Sequence, residues 1–597
     1  MSDDATANAT AALTTLQQAL ALHQGGQLAQ AQALYDRVLQ WQPENFDALH
    51  LSGLIAFQSK NPARAVELIN RALAVNPDHA DAHANMGNAL RKLGQFESAL
   101  ASYDTAIRLR PEHAESHFNR GIALKELGQY ALAVSSYDQA IALNPGLMPA
   151  YANRGVALAA LDRHESAIAS FDHAINLKPG IAYSHLHRGI SLHAMGRYPE
   201  AAASYRQAIA LEPANAEAHH NLGISLIQLR QHEAAIASID RAIALKPGFA
   251  EAYVNRALAF HEIRQHQAAM ADYRQAIALQ PKLRIAHRNL SHLHLLLGDY
   301  EQGWEEFEWR LRGDDGEDRQ GRFSQPLWLG RESLAGKTIL LHSEQGLGDT
   351  IQFCRYAKLV ADLGARVILE VQKPLLKLFA NLDGVALLVS KGGVLPPFQF
   401  HCPLMSLPLA FRTRLDNIPA AGGYLRADAG KIEAWRARLG TKTKPRVGLV
   451  WSGNPLQKNN HNRSIPLAVL TGLLDSQFEY VSLQKEANEA DRKILGAHPA
   501  IRCFELDDLS DTAALCELLD LVISVDTSVA HLTGALGRPV WIPLGFNADW
   551  RYLLERADSP WYASARLYRE DRLKGWNEVV ANIRADLMRL FAAAGQA

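Results

Sequence analysis

Apolar and polar positions repeat along the first half of the chain with a strict period of 34 residues. A proline marks each period, and an aromatic residue or isoleucine stands eight residues before it. From the second repeat on, an alanine precedes the proline by five residues, and in six repeats a glycine follows it by ten. This period predicts stacked helix pairs that bury one face of each helix. The positions are Pro43, Pro77, Pro111, Pro145, Pro179, Pro213, Pro247 and Pro281; Tyr35, Ile69, Tyr103, Tyr137, Phe171, Tyr205, Ile239 and Tyr273; Ala72, Ala106, Ala140, Ala174, Ala208, Ala242 and Ala276; and Gly53, Gly87, Gly121, Gly155, Gly189 and Gly223.

The second half has short apolar runs separated by helical stretches, which predicts α/β structure with parallel strands. We expect strands near 337–342, 365–371 and 385–390 in a first lobe of βαβαβ order. A second lobe would hold strands near 446–451, 480–483, 522–525 and 540–544. An amphipathic helix near 576–594 can fold back across the first lobe. The predicted domains are a helical array over 1–312, a linker over 313–335 in which Pro-Leu-Trp at 326–328 packs onto the next domain, and lobes over 336–430 and 431–597.

The segment 522–545 contains a first candidate site. A buried strand is followed by Asp526, Thr527 and Ser528, and then by a helix that Gly537 stops. The free N–H groups and positive dipole end of such a helix attract an anion such as a nucleotide diphosphate. His531 lies on the same helical face as Ser528. In the alternative interpretation, Asp526 and Thr527 only cap the helix and His531 packs under a loop.

A second candidate site follows the first strand of lobe one. The sequence from Ser343 to Thr350 contains Gly-Leu-Gly-Asp, which places Asp349 at a helix start on the carboxyl edge of the sheet. The glycines alone would also fit a simple tight turn. If the two lobes face each other, their carboxyl edges lie across one cleft.

One polar row in the repeats predicts ion pairs between neighbouring helices. Arginines stand nine residues after four of the prolines, each sixteen residues after an aspartate. Where that aspartate is replaced by Arg206 or Arg274, the arginine is replaced by leucine, as an ion pair requires. The predicted pairs are Arg120 with Asp104, Arg154 with Asp138, Arg188 with Asp172 and Arg256 with Asp240.

A second polar row consists of asparagines eight residues after successive prolines, interrupted by His187. An amide both donates and accepts, so such a ladder can bind a peptide backbone without reading its side chains. The alternative is that each asparagine caps or packs locally. The members are Asn85, Asn119, Asn153, Asn221, Asn255 and Asn289.

The first half resembles the tetratricopeptide repeat, with eight full units from about Ala9 to Pro281 and a ninth to about Arg312. The second half resembles the glycosyltransferase family that includes the bacterial heptosyltransferases, through its GxGD loop and its D-T-S-x-x-H-x-x-x-A-L-G-x-P-V segment. Joined to the repeats, it is similar to O-linked N-acetylglucosamine transferase and to bacterial transferases thought to modify flagellin. These resemblances imply an all-α repeat superhelix followed by a GT-B fold of two Rossmann-like lobes.

The resemblance also implies roles for particular residues. Asp349 matches the catalytic base, and Arg463 stands where the family usually has a lysine that neutralises the leaving diphosphate. Asp526, Thr527, Ser528 and His531 match the donor-phosphate turn, with Ser528 in place of the usual glycine. Four further residues lie in loops at positions suited to binding the nucleotide. The asparagine ladder matches the site that binds the acceptor protein. The loop residues are Ser452, Asn454, Gln484 and Lys485.

The amino-acid composition argues against some classes of binding partner. The net charge of −1, from 61 basic and 62 acidic residues, gives no general attraction to nucleic acid or membrane. The four cysteines are widely spaced without a CxxC pair, and no apolar run approaches a membrane span or signal sequence. We therefore expect a cytoplasmic protein without a disulfide framework or a cysteine-based zinc site. The resemblance further implies a transfer site that needs no metal, in line with the lack of a DxD motif, and no cofactor besides a nucleotide-sugar co-substrate.

These features favour an inverting, metal-independent transferase that moves a sugar to Ser or Thr of a protein held by the repeats, with flagellin a candidate acceptor by resemblance. One alternative is a scaffold whose transferase lobes have degenerated. Another is a transferase with a saccharide acceptor.

Overall fold

The computed structural model describes residues 2–313, 322–419, 422–454, 460–571 and 575–594. Helices fill its first half, and two parallel sheets with surrounding helices follow. The predicted fold class, an all-α repeat superhelix followed by two Rossmann-like α/β lobes, is confirmed. Within these ranges, no helix has the length and hydropathy needed to cross a membrane.

Nine helix pairs make up the array in the described part of the chain. The first helix of each pair has 13 residues in most repeats, as the 34-residue period requires. The helices are α1 (Ser2–Gln24), α2 (Leu28–Trp41), α3 (Phe46–Gln58), α4 (Pro62–Val75), α5 (Ala80–Lys92), α6 (Phe96–Leu109), α7 (Ala114–Glu126), α8 (Tyr130–Leu143), α9 (Met148–Ala160), α10 (His164–Leu177), α11 (Ala182–Ala194), α12 (Tyr198–Leu211), α13 (Ala216–Gln228), α14 (His232–Leu245), α15 (Ala250–Glu262), α16 (His266–Leu279), α17 (Arg284–Leu296) and α18 (Tyr300–Phe307).

The periodic glycines are required by close contact between the two helices of a pair. At Gly121, an added Cβ would lie 2.5 Å from Cε1 of Tyr137, which is fully buried. The glycine and the aromatic residue sixteen positions later therefore form one packing unit, because the ring fills the space left by the missing side chain.

The predicted row of ion pairs is confirmed. In all four pairs, a guanidinium nitrogen lies 2.6 Å from the carboxylate of the aspartate sixteen residues earlier. Arg154 also donates to the buried hydroxyl of Ser170 at 2.8 Å. These arginines serve packing between helices rather than a basic groove.

The chain forms two compact units, Met1–Ala259 and Phe260–Ala597. The second unit contains the last repeat as well as both lobes. Trp304 of α18 donates its indole N–H to the carbonyl of Thr413 at 3.0 Å, and Trp561 donates to the hydroxyl of Tyr300 at 3.2 Å. The final helices thus share a buried aromatic core with the α/β region.

The first lobe has a four-stranded parallel sheet of order β3-β2-β1-β4. The prediction missed β4, and its βαβαβ order was wrong after β2, where a 3-10 turn at Lys373–Leu375 stands in place of a helix. The segment 326–328 packs as predicted, since Trp328 is buried and bonds His401. The elements are β1 (Thr338–His342), α19 (Leu347–Phe353), α20 (Tyr356–Asp362), β2 (Arg366–Val371), β3 (Leu387–Ser390), β4 (Phe400–Pro403) and α21 (Leu407–Ala410).

The second lobe has a six-stranded parallel sheet of order β10-β9-β8-β5-β6-β7. Counted from β5, this is the order 3-2-1-4-5-6 of dinucleotide-binding sheets. The short β7 and the outer β10 were not predicted. The elements are α22 (Ala429–Leu439), β5 (Arg446–Val450), α23 (Asn460–Arg463), α24 (Leu467–Leu470), β6 (Glu479–Ser482), α25 (Glu489–Ala497), β7 (Ile501–Arg502), α26 (Leu509–Leu518), β8 (Leu521–Ser524), α27 (Ser528–Ala535), β9 (Val540–Leu544), β10 (Ala565–Arg569) and α28 (Asn577–Ala594).

The expectation that the last helix folds back across the first lobe was wrong. Val580, Ile583 and Leu587 of α28 are buried in one core with Val447 and Leu449 of β5. The apolar face of α28 therefore completes the second lobe. The amphipathic pattern predicted a packed helix but carried no information on which sheet it covers.

Candidate functional site

The predicted donor residues collect at one edge of the second sheet. β5 and β8 are adjacent and parallel, and the strand order reverses between them. Ser452 follows the end of β5 and Asp526 follows the end of β8. Such a reversal leaves a crevice outside the carboxyl ends of the strands, where ligands of α/β proteins bind.

The turn before α27 has features of both sequence interpretations, the helix cap and the anion-binding helix start. Thr527 caps the helix by accepting the N–H of Val529 at 3.3 Å. Asp526 accepts the hydroxyl of Tyr552 at 2.7 Å and is largely buried. Thr527 and Asp526 thus have structural partners, while the first turn of α27 opens at the crevice.

His531 lies in the interior of the second unit, on α27. Its Nδ1 is 2.9 Å from the hydroxyl of Tyr562, and its Nε2 is 3.6 Å from a carboxylate oxygen of Asp526. Burial, with a smaller contribution from the charge of Arg551, lowers the pKa of His531 to about 4. The imidazole is therefore neutral near pH 7, and any anion at this edge would meet a dipole there rather than a cation.

Asp349 occupies the first turn of α19, in the first lobe. Its Oδ2 accepts the backbone N–H of Gly346 at 2.9 Å, and its side chain remains 22% exposed. Gln372, at the end of β2, braces the loop by donating to the carbonyl of Gln345 at 2.8 Å and accepting from Thr350 at 3.0 Å. The carboxylate is thus fixed in direction but still open to solvent.

The two candidate sites meet at Gly348. A Cβ added there would lie 2.7 Å from Cδ2 of His531 and 3.6 Å from Cα of Ser528. The first turns of α19 and α27 therefore touch across the lobes. The loop that carries Asp349 and the turn that carries Ser528 and His531 therefore lie close together, and their chemical roles stay predictions.

The predicted nucleotide loops have different surroundings. Gln484 accepts the backbone N–H groups of Trp451 and Ser452 and donates to the carbonyl of Ser452 at 3.0 Å, so its amide braces the end of β5. Asn454 and Lys485 are exposed. Residues 455–459 of the intervening loop lie outside the described residues.

Arg463 lies at the end of α23. Its Nη2 would be 2.7 Å from a Cβ added at Gly453, so the glycine admits the guanidinium beside the loop that follows β5. Its positive charge also acts on Asp526. The structure therefore brings the predicted phosphate cation to the same strand edge as the α27 turn.

Sequence reasoning missed Arg551, which joins the lobes. It lies in a 3-10 turn, Trp550–Tyr552, that follows β9. Its guanidinium donates to Asp349 Oδ1 at 2.5 Å, to Gln352 Oε1 at 2.5 Å and to Asp549 Oδ1 at 2.9 Å. The sequence signal that could have indicated it is Asp-Trp-Arg at 549–551, which follows a buried strand as the other predicted site residues do.

Three carboxylates act on this one guanidinium through their charge, and two of them also accept hydrogen bonds from it. Burial opposes its charge, but Asp549, Asp349 and Asp526 together raise the pKa of Arg551 above its usual value. Burial also acts to raise the pKa of Asp549, yet Arg551 holds it below its ordinary value. Burial and the charge of Asp549 raise the pKa of Asp526. Arg551 is therefore the centre of the buried charge at the site.

The asparagines of the ladder occupy equivalent positions on first helices and are all half-buried. Asn85 lies 3.0 Å from Nε2 of His50, and Asn255 lies 2.8 Å from Nε2 of His220. Asn153 donates to the carbonyl of Pro149, and Asn289 bonds the hydroxyl of Tyr273. In the described part of the chain, the amides of Asn119 and Asn221 make no hydrogen bond. Local hydrogen bonds thus engage the amides of four of the six asparagines, and the amides of the other two remain available to bind a peptide backbone.

Among the described residues, no group of three or more His, Cys, Asp or Glu side chains is arranged to hold a metal ion. The nearby aspartates have other partners, since Asp349 and Asp549 accept from Arg551 and Asp526 accepts from Tyr552.

Family profiles match the array. Profiles of the tetratricopeptide repeat match residues 87–128 and 191–229, 114–147, 149–181 and 220–284. A profile described as anaphase-promoting complex, cyclosome, subunit 3 matches 24–106. The first half is therefore a tetratricopeptide-repeat array, a scaffold for protein interaction.

One curated relative is Protein FlbA of Caulobacter vibrioides, which is 25% identical over 325 residues. The match covers 50% of this chain and 54% of FlbA, so the chain spans about half the length of that relative.

Among solved structures, YrrB, described as a TPR protein with an unusual peptide-binding site, is 23% identical with a TM-score of 0.29, over 33% of this chain and 99% of YrrB. A tetratricopeptide repeat protein from Parabacteroides merdae is 20% identical with a TM-score of 0.34, over 41% of this chain and 97% of its own. The APC/C hetero-tetramer Cut9-Hcn1 is 17% identical with a TM-score of 0.35, over 45% and 52%.

Proposed function

We propose that the chain is a protein O-glycosyltransferase that moves a sugar from a nucleotide-sugar donor to a Ser or Thr hydroxyl of a protein held by the repeats. The observation that carries the proposal is the contact of two helix starts, α19 with Asp349 and α27 with Ser528, across the two lobes. This contact supports the proposal because group transfer from a diphosphate needs a base close to a group that binds the phosphates, and a helix start can bind an anion.

In the proposed reaction, the donor diphosphate binds against the first turn of α27, with Arg463 as the cation that offsets its charge. The acceptor hydroxyl attacks the anomeric carbon while Asp349 removes its proton. The bond from the anomeric carbon to the diphosphate oxygen breaks, and the leaving group keeps the electron pair. The configuration inverts because a single displacement occurs. His531, neutral at pH 7, supplies a hydrogen bond rather than charge.

The repeats support a protein acceptor over a saccharide. The stacked helix pairs from α1 to α14, all in the first unit, offer an extended surface of the kind that binds polypeptides. The amides of Asn119 and Asn221 suit a peptide backbone because each can both donate and accept. Flagellin is the first acceptor to test.

The test is the intact mass of flagellin and other bacterial candidate proteins after incubation with the full chain and UDP-, GDP-, ADP- or CMP-linked sugars. A mass increase of one sugar residue that is lost in Asp349→Asn is expected, since general-base catalysis supplies about 10²- to 10⁴-fold in rate. Unchanged masses with every donor and acceptor would contradict the proposal and favour the scaffold alternative.

The ladder is tested separately with the double variant Asn119→Ala, Asn221→Ala. We expect weaker acceptor binding with unchanged hydrolysis of the donor. Asn176→Ala, an exposed change on the second helix α10, is the matched control. Equal acceptor affinity in both variants would remove the ladder from the proposal.

A further inference from the structure

Arg551 makes a junction between the lobes that the predicted roles do not include. It belongs to the second lobe, while Asp349 and Gln352 lie one helical turn apart on α19 of the first. Its three donor groups each have a partner, two on α19 and one on Asp549. A planar guanidinium held at three points fixes both the direction and the distance of what it binds.

The segment that carries Arg551 is itself immobilised. The ring of Trp550 packs among Trp304, with centroids 5.3 Å apart, and Trp561, at 6.0 Å. Arg569 donates to the carbonyl of Tyr552 at 2.5 Å. Leu553 follows with φ of 54°, a left-handed value that a leucine keeps only where surrounding contacts enforce it.

The two oxygens of Asp349 have separate partners. Oδ2 receives the Gly346 amide and Oδ1 receives Arg551. A carboxylate has about four acceptor directions, so directions remain for a substrate hydroxyl on its 22% exposed side. Arg551 therefore restricts the rotation of the carboxylate without blocking it.

We propose that Arg551 is a positioning residue: it clamps the start of α19 to the second lobe and holds the Asp349 carboxylate towards the α27 turn. As far as turnover is concerned, this inference rests on the proposed function. The clamp itself does not, and it can be measured without any substrate.

The first experiment is hydrogen–deuterium exchange on the full chain without ligand. Arg551→Gln is expected to speed exchange of the amides in 347–353 at least tenfold, because α19 loses its attachment to the second lobe. The matched control is Arg556→Gln, which removes an arginine five residues away that pairs with Asp558 at the surface. If Arg551→Gln does not fold, Arg551→Lys and Asp549→Asn replace it. Exchange at 347–353 equal to that of the unchanged protein in the folded variants would overturn the clamp.

The second experiment measures turnover with flagellin and whichever of the four nucleotide-sugars gives transfer. Loss of the guanidinium should lower kcat about 100-fold, as for a misplaced catalytic group, and leave KM for the donor within threefold. Guanidinium ion added to Arg551→Ala, and separately the change to lysine, should restore part of kcat. A raised KM with unchanged kcat would overturn the positioning role. Absence of transfer by the unchanged protein would instead refute the proposed function, while the exchange result still decides the clamp.

Discussion

Gly348→Ala is expected to weaken the contact between the lobes. An alanine Cβ at this position would lie 2.7 Å from Cδ2 of His531. Two carbon atoms pack at about 3.5 Å or more, so the helix starts must separate by roughly 0.8 Å. His531 has no room to move away, since it is buried and held by Tyr562 at 2.9 Å.

The expected magnitude follows from this overlap. Overpacking of a filled site costs about 1–3 kcal/mol, and alanine returns less than about 1 kcal/mol through its higher helix propensity. A net loss of about 1–2 kcal/mol corresponds to a melting temperature lower by about 2–5 °C for a unit of this size. Nine of the ten tryptophans lie in the second unit, so thermal melting followed by tryptophan fluorescence reports on that unit.

The control is Gly496→Ala, on α25. No atom lies within 4 Å of the Cβ this change would add, so its melting temperature should be equal or slightly higher. In a His531→Ala background, the cost of Gly348→Ala should fall by at least about 1 kcal/mol, because contacting residues couple. If Gly348→Ala melts like Gly496→Ala, the contact between α19 and α27 is not the close one described.

Three further outcomes are expected. Burial lowers the pKa of His531 to about 4, so its contribution to stability is complete above about pH 6.5 and is lost as the pH falls towards 4, because the unfolded chain then binds the extra proton. The melting temperature of His531→Gln should therefore vary less between about pH 6.5 and 4 than that of the unchanged protein, and equal pH dependence of the two melting temperatures would contradict this. Arg154→Met should lower the free energy of unfolding by about 1 kcal/mol or less, because its pair with Asp138 is partly exposed. The measurement is urea unfolding followed by circular dichroism, and a loss above about 3 kcal/mol would show that the pair is not a surface ion pair. Calorimetry with UDP, GDP and ADP identifies which nucleoside diphosphate the protein binds. Arg463→Gln should weaken the binding of that diphosphate about 10- to 100-fold, as loss of a charge-assisted hydrogen bond does, and an unchanged Kd would remove Arg463 from the diphosphate site.

The array was predictable because its rules are local. A period of 34 residues fixes which positions face one another, so the contact of Gly121 with Tyr137 and the pair of Arg154 with Asp138 were both readable from spacing. The exchange of arginine for leucine at the positions paired with Arg206 and Arg274 gave direct support to the pairing.

The α/β half was predictable only in part. Apolar runs located the central strands, but β7 has two residues and β10 lies at the sheet edge, where the pattern is weak. Asp349 and the α27 turn were found because parallel strands end at a common edge. Arg551 was missed because its partner Asp349 is 202 residues away, and no short-range pattern encodes such a contact.

The last repeat shows why a sequence period does not by itself define a structural unit. The pattern continues to about Arg312, yet the compact second unit begins at Phe260. The reason is chemical: Trp304 of the final repeat is buried, and its indole donates to the carbonyl of Thr413 in the first lobe. The same ring packs on Trp550, the neighbour of Arg551. The helix pair that ends the array therefore also supports the segment that holds Asp349, so changes in that pair act on the candidate site through direct packing.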